Sequence, residues 1–229
     1  MATIKDILNN VLAESGFLKR DQFFGSPDPD DIQMGAIANR VAYEIFNFYD
    51  WNQIRKSDTI LLQVGQELYD LPADYQSFVP DSAWETDGSR KVDVPVSDQE
   101  WYQYRYSSLT SGGVIRARFM GDKLFVVEPF AGGSISFSYV SKYVIKADTG
   151  NLQEFFTNDL DTWLLDDQVL TLGIQAHWQQ TKMMPTYKEH MGNYMIKMNE
   201  AISRANSGST IGGIPSPIRK APYTKLWVN

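Results

Sequence analysis

"PDPDDIQMGAIANRVAYEIFNFYDW", residues 27–51, reads as a long helix that cannot stand alone. Asp28 is placed to cap its start, Pro29 suits the first helical position, and Asp30 and Asp31 fall where the helix dipole favours negative charge. Met34, Ile37, Ala38, Val41, Ile45 and Phe48 follow the helical period, while Ile32, Ala36, Tyr43 and Phe46 add a second stripe. One stripe docks a helix on one core. Two stripes require partners on more than one side.

Upstream, "TIKDILNNVLAESG" (3–16) opens on a Thr3/Asp6 pair resembling a capping box and sets Ile4, Ile7, Leu8, Val11 and Leu12 on one face before Gly16. Downstream of about Asp58 the pattern turns strand-like, in "DTILLQVGQELYDLP", "FVPDSAWETDGSRKVDVPV", "VIRARFMGDKLFVVEP" and "GSISFSYVSKYVIK", separated by Gly, Pro and Asp turns. Arg116 to Met120 and Lys123 to Val127 form the clearest hairpin, because Gly121-Asp122 suits a type II′ turn. "SDQEWYQY" carries a Ser97/Glu100 capping box and predicts one short helix within this region. Helical patterning returns in "DDQVLTLGIQAHWQQTKMM" and in "PTYKEHMGNYMIKMNEAISRANSG". The latter starts at a Thr186/Glu189 box and aligns Tyr187, Met191, Tyr194, Met195, Met198 and Ile202. The expected fold is therefore α+β. Residues 1–56 and 152–206 form a four-helix-type bundle, 57–151 an inserted antiparallel β domain, and 207–229 an extended C-terminal arm.

A hydrophobic content of 43% over 229 residues suffices for a packed core, and the absence of cysteine excludes disulfides and thiolate sites. No stretch approaches the roughly 18 uninterrupted apolar residues of a membrane span, and the start lacks the pattern of a signal peptide, so no membrane partner is expected. The net charge is −7, and setting aside Arg219, Lys220 and Lys225 of the acid-free arm leaves −10 on residues 1–206. Such a body repels polyanions and shows no Lys/Arg cluster, which excludes sequence-specific DNA reading.

Patterns that carry chemistry are missing their decisive residue. "GSTIG" (208–212) has Thr210 where a nucleophile elbow needs serine, and "SGG" (111–113) lacks the lysine of a phosphate loop. His177 and His190 belong to different predicted helices. An EF-hand loop begun at Asp159 would need glycine where Leu164 stands. The aspartates of "DPDD" (28–31) and "NDLD" (158–161) are accordingly expected to cap the helices that follow. Met183, Met184, Met191, Met195 and Met198 are expected in the core, and Trp51, Trp84, Trp101, Trp163 and Trp178 in the core or at subunit interfaces. Neither catalysis nor a metal or cofactor is expected.

The segment "GSTIGGIPSPIRKAPYTKLWVN" (208–229) carries three glycines and three prolines and no regular apolar spacing, so it has little reason to fold by itself. Extended, it reaches about 75 Å at ~3.3 Å per residue. Ile214, Pro215, Pro217, Ile218, Tyr223, Leu226 and Trp227 would fill pockets on a partner, while Arg219, Lys220 and Lys225 meet acids. The Ser, Thr and Gly content of "RYSSLTSGG" (105–113) marks Ser107, Ser108, Thr110 and Ser111 as a contact loop.

"FFGSPDPD" (23–30), "ANRVAYEIFNFYDW" (38–51), "YDLPADY" (69–75), "GDKLFVVEP" (121–129), "FSYVSKY" (137–143) and "LTLGIQAHWQQTKMMPTYKEHMGNY" (170–194) together resemble the head-to-tail adaptor proteins of short-tailed bacteriophages. That family includes the tail tubular A and tail accessory proteins. The chain departs from the pattern at His177, where a basic residue is usual, and at Met183-Met184, where Gly-Leu is usual. The resemblance implies a homo-oligomeric ring, commonly a dodecamer, in the virion between the portal protein and the tail nozzle. It also implies an arm that runs onto the portal and a lumen through which double-stranded DNA passes without sequence-specific binding; the contact loop read from its composition would then meet the nozzle. The negative body suits such a conduit. Rival readings are a virion-associated cell-wall hydrolase working through Asp or Glu, and a soluble protein-binding module whose tail recruits a partner.

Overall fold

The computed structural model of the chain describes residues 2–86, 90–94, 97–106, 115–127 and 133–207. Along the chain come α1 (Ile4–Glu14), α2 (Pro29–Phe48), a 3-10 turn (Asn52–Ile54), β1 (Arg55–Leu61), β2 (Leu68–Asp70), β3 (Tyr75–Phe78), β4 (Trp84–Glu85) and β5 (Arg90–Asp93). Then follow α3 (Asp98–Tyr106), β6 (Ile115–Met120), β7 (Lys123–Val127), β8 (Ser134–Ser141), β9 (Ile145–Lys146), β10 (Leu152–Gln153), β11 (Thr162–Trp163), α4 (Asp167–Thr181) and α5 (Tyr187–Ser207). The chain is mixed α+β. Its described residues separate into two compact units, one built from the chain up to Ile54 and from Tyr143 onward, the other from Arg55–Lys142.

In the first unit the helix starts follow the sequence. Thr3 accepts the Asp6 N–H at 3.2 Å, and the Asp6 carboxylate accepts the Thr3 N–H at 3.2 Å, closing a capping box. Asp28 accepts the Asp30 N–H at 2.9 Å, with Pro29 in the first turn of α2. The inward faces bury Ile4, Ile7, Leu8, Val11 and Leu12 on α1 and Met34, Ile37, Ala38, Val41 and Ile45 on α2. Helix α4 packs against α5, α2 and α1. Gly173 sets how closely they approach: a Cβ there would lie 2.6 Å from Val41 Cγ1 on α2 and 2.9 Å from Tyr194 Cε2 on α5.

Two cap expectations change. The aspartates of "NDLD" tie loops together instead of capping a helix. Asp159 accepts the Phe23 and Phe24 N–H groups, and the buried Asp161 accepts those of Thr157 and Asn158 at 2.8 and 2.9 Å and the Gln153 amide at 2.7 Å. Helix α4 begins farther on, capped by Asp166. At α5, the Thr186 hydroxyl donates to the side-chain oxygen of Gln179 at 2.9 Å, because that buried amide needs a partner more than an exposed helix start does.

The second unit is a sheet in the order β1-β8-β4-β5-β6-β7-β2, with β3 also paired to β8. Every pair is antiparallel except β5 with β6, a parallel pair whose crossover carries α3. The β6–β7 hairpin has the expected register, Arg116 opposite Val127 through Met120 opposite Lys123, and Gly121 takes φ +60° as its turn requires. Ile60, Tyr69, Val92, Ile115, Ala117, Leu124, Val126, Ile135 and Phe137 alternate inward to form the core.

Candidate assembly surfaces

The second stripe of α2 divides. Phe46 is buried, whereas Ile32 is 58% and Tyr43 53% exposed, and Ala36 between them is exposed. Helix α5 repeats the arrangement: Tyr194, Met198, Ala201 and Ile202 face inward, and Met195 with Ile196 stays open, the latter at 61%. Both helices thus carry apolar surface that the single chain leaves bare.

At the far end of α4 a cavity of about 400 Å³ is lined by Leu12, Phe17, Leu18, Phe23, Met34 and Trp178, among others. Phe17 meets the buried Trp178 edge-on at 6.0 Å, and Lys182 lies 4.5 Å from the Trp178 ring centroid while its ammonium reaches Asp30 at 2.6 Å. Leu18 and Met183 are almost wholly exposed. Met183 therefore departs from its expected core place. It follows the last turn of α4 at φ +54°, which points its side chain away from the helix, and Met195 sits one residue off the inward stripe. Met198 is buried as expected.

Titratable groups cluster in two places. His177 Nε2 on α4 lies 3.1 Å from Glu44 Oε2 on α2 and meets the Tyr194 ring edge-on, while His190 is half-buried in the first turn of α5. Burial, with the Glu44 charge behind it, pushes the Tyr194 phenol well above its usual range. In the second unit the buried Asp74 accepts hydrogen bonds from Lys56 at 2.5 Å, Ser141 at 2.7 Å and Tyr139 at 2.9 Å. Burial drives its carboxyl upward, yet the three hydrogen bonds and the Lys56 charge outweigh that and leave it below its usual value. Burial and then Asp74 raise the Tyr139 phenol. His177, Tyr194, Asp74 and Tyr139 are each held by their neighbours, and among the described residues no three His, Asp or Glu side chains converge as metal ligands would.

Sequence reasoning marked Ile32, Ala36 and Tyr43, and assigned Trp84 to the core or a subunit interface, where the structure leaves it 46% exposed on β4; it missed the pair Tyr102 and Tyr106, stacked on the open side of α3 at 6.0 Å. The expected arm residues Ile214, Pro215, Pro217, Ile218, Arg219, Lys220, Tyr223, Lys225, Leu226 and Trp227 lie outside the described residues. So do Ser107, Ser108, Thr110 and Ser111 of the expected contact loop.

Among curated proteins none matches the chain. The model of the SU10 adaptor protein family matches residues 2–217, across both units, and agrees with the resemblance carried by the motifs between residues 23 and 194. The chain belongs to the SU10 adaptor protein family, a family of phage structural adaptors that are components of the virion.

Proposed function

We propose that this adaptor forms a ring, a dodecamer, between the portal and the tail nozzle, with DNA passing through its lumen. The observation that carries this reading is the bare apolar stripe of Ile32, Ala36 and Tyr43 on α2, with Met195 and Ile196 on α5 as a second open patch. A head-to-tail ring needs two different faces of one protomer that fit each other, and two helices with outward apolar surface supply them. In this reading α1, α2, α4 and α5 act as one four-helix bundle that packs side by side with its neighbours, and the sheet unit is its insertion. Residues 208–229 then become the arm that runs onto the portal, and residues 107–111 meet the nozzle. The charge of −10 on residues 1–206 keeps a passing duplex from sticking.

The arm's ordering on the portal costs several kcal/mol per copy, so attachment relies on many arms together. Deleting residues 208–229 is expected to leave a folded protein that no longer cosediments with portal-bearing capsids. Normal cosedimentation of the truncated protein would overturn the arm assignment.

A further inference from the structure

The outward face of the sheet in the second unit has two halves. Inward positions alternate along β6 and β7, so Arg118 on β6 and Phe125 on β7 face outward, and α3 covers them. Trp101 meets Phe125 edge-on at 5.2 Å, the Arg118 guanidinium lies 6.0 Å from the Trp101 ring centroid, and Arg118 pairs with Asp98. Among the described residues α3 is the one helix of this unit, and it lies over β6 and β7, not over the half built by β1, β8 and β4.

Register places Ser57 opposite Ser138, and Thr59, Ser136 and Trp84 in one row across three strands. Leu61 follows at the edge, 72% exposed. These six positions carry no ionisable side chain, in a chain with 49 charged residues; Lys91, opposite Trp84 on β5, bounds them on one side, and Arg55, two residues before Ser57 on the same face of β1, bounds them on another. The Thr59 and Ser136 hydroxyls bond each other at 2.7 Å, those of Ser57 and Ser138 at 3.3 Å. Two hydroxyls that share one hydrogen bond spend one hydrogen on it. Each pair therefore keeps a second O–H, with acceptor lone pairs, to offer outward.

We propose that this half-face is a binding platform for neutral polysaccharide. The Trp84 indole stacks on the apolar face of a pyranose ring, and the Thr59–Ser136 and Ser57–Ser138 pairs exchange hydrogen bonds with sugar hydroxyls. Adjacent strands stand roughly 4.8 Å apart, so one sugar ring on Trp84 has its edge over Ser136 and the next reaches Thr59. Nucleic acid and acidic lipid require cations that these positions do not supply. An apolar protein face would bury the outward hydroxyls unpaired, which a saccharide does not. An indole nearly half exposed beside hydroxyl groups suits a ligand with apolar faces and polar edges.

The test titrates the full-length protein with maltohexaose, cellohexaose and chitohexaose, read by calorimetry and by the NMR shifts of the sugar ring protons. At least one is expected to bind, with upfield shifts of the C–H protons that lie on the indole. Trp84→Ala should weaken binding by about tenfold or more, Trp84→Phe by less, and Thr59→Val with Ser136→Ala several-fold. All three variants involve surface positions and should melt as the wild type does. Failure of all three sugars to bind overturns the proposal, as does binding that Trp84→Ala leaves unchanged. Loss of self-association in place of sugar binding in Trp84→Ala would assign the face to contact between copies and equally overturn it. The wild-type proton shifts decide the matter even if a variant fails to fold.

Discussion

Met183 ends α4 in the left-handed region at φ +54°, where glycine is the usual occupant. Its N–H donates to Gln180 O at 3.1 Å and that of Met184 to Gln179 O at 2.9 Å, so the backbone there is a regular helix stop holding the wrong residue for it. The side chain returns nothing within the chain, being 90% exposed. Met183→Gly is expected to stabilise the protein by about 1 kcal/mol in urea unfolding. The left-handed residue of that stop was hidden in the sequence because neither Gly nor Asn marks it, although Pro185 bounds the helical pattern there. Asp74 was equally hidden: "YDLPADY" reads as a turn, and nothing local says that Lys56, Tyr139 and Ser141 from distant strands converge on its carboxylate. Because its pKa is lower folded than unfolded, its contribution is present above the ordinary carboxylate range and fades as pH falls through the folded value. Asp74→Ala should cost about 3 kcal/mol at neutral pH, leaving Lys56, Tyr139 and Ser141 without their acceptor. It should also flatten the acid limb of stability against pH. An unchanged acid limb would show that other carboxylates set it.

Local signals placed the helices and the β6–β7 hairpin and missed the two-residue strands. Caps at Thr3 and Asp28, the Gly121-Asp122 turn and the period of α2, α4 and α5 all act within a few residues, and the helices and the β6–β7 hairpin follow from them. The two-residue strands β9, β10 and β11 are defined only by each other, and the β5–β6 parallel pair only by a crossover, so no local period announces them. The double stripe on α2 was legible as a pattern, but which stripe the single chain covers depends on where α4 lies. Ile32→Glu with Tyr43→Glu tests the bare one. Both positions are exposed, so the melting temperature should barely move, within about 0.5 kcal/mol of stability. Ring formation on portals, scored by electron microscopy, should be lost. Rings that still form would remove α2 from the subunit interface.

At the scale of the molecule, the chain enters the second unit on β1 and leaves it after β8, and these two strands are neighbours, with Arg55 opposite Val140. An excursion of 88 residues that returns to its starting point is a closed insertion, with its own core of Ile60, Tyr69, Leu124, Val126, Ile135 and Phe137. Joined by a short Gly-Ser linker, Ile54 and Tyr143 should lie within reach of each other. The shortened chain is then expected to keep the circular dichroism of α1, α2, α4 and α5 and to unfold in one transition. Residues 55–142 expressed alone should give a β-rich spectrum and a separate, cooperative melt. An excised helical unit that loses its helicity would show that the two cores fold as one.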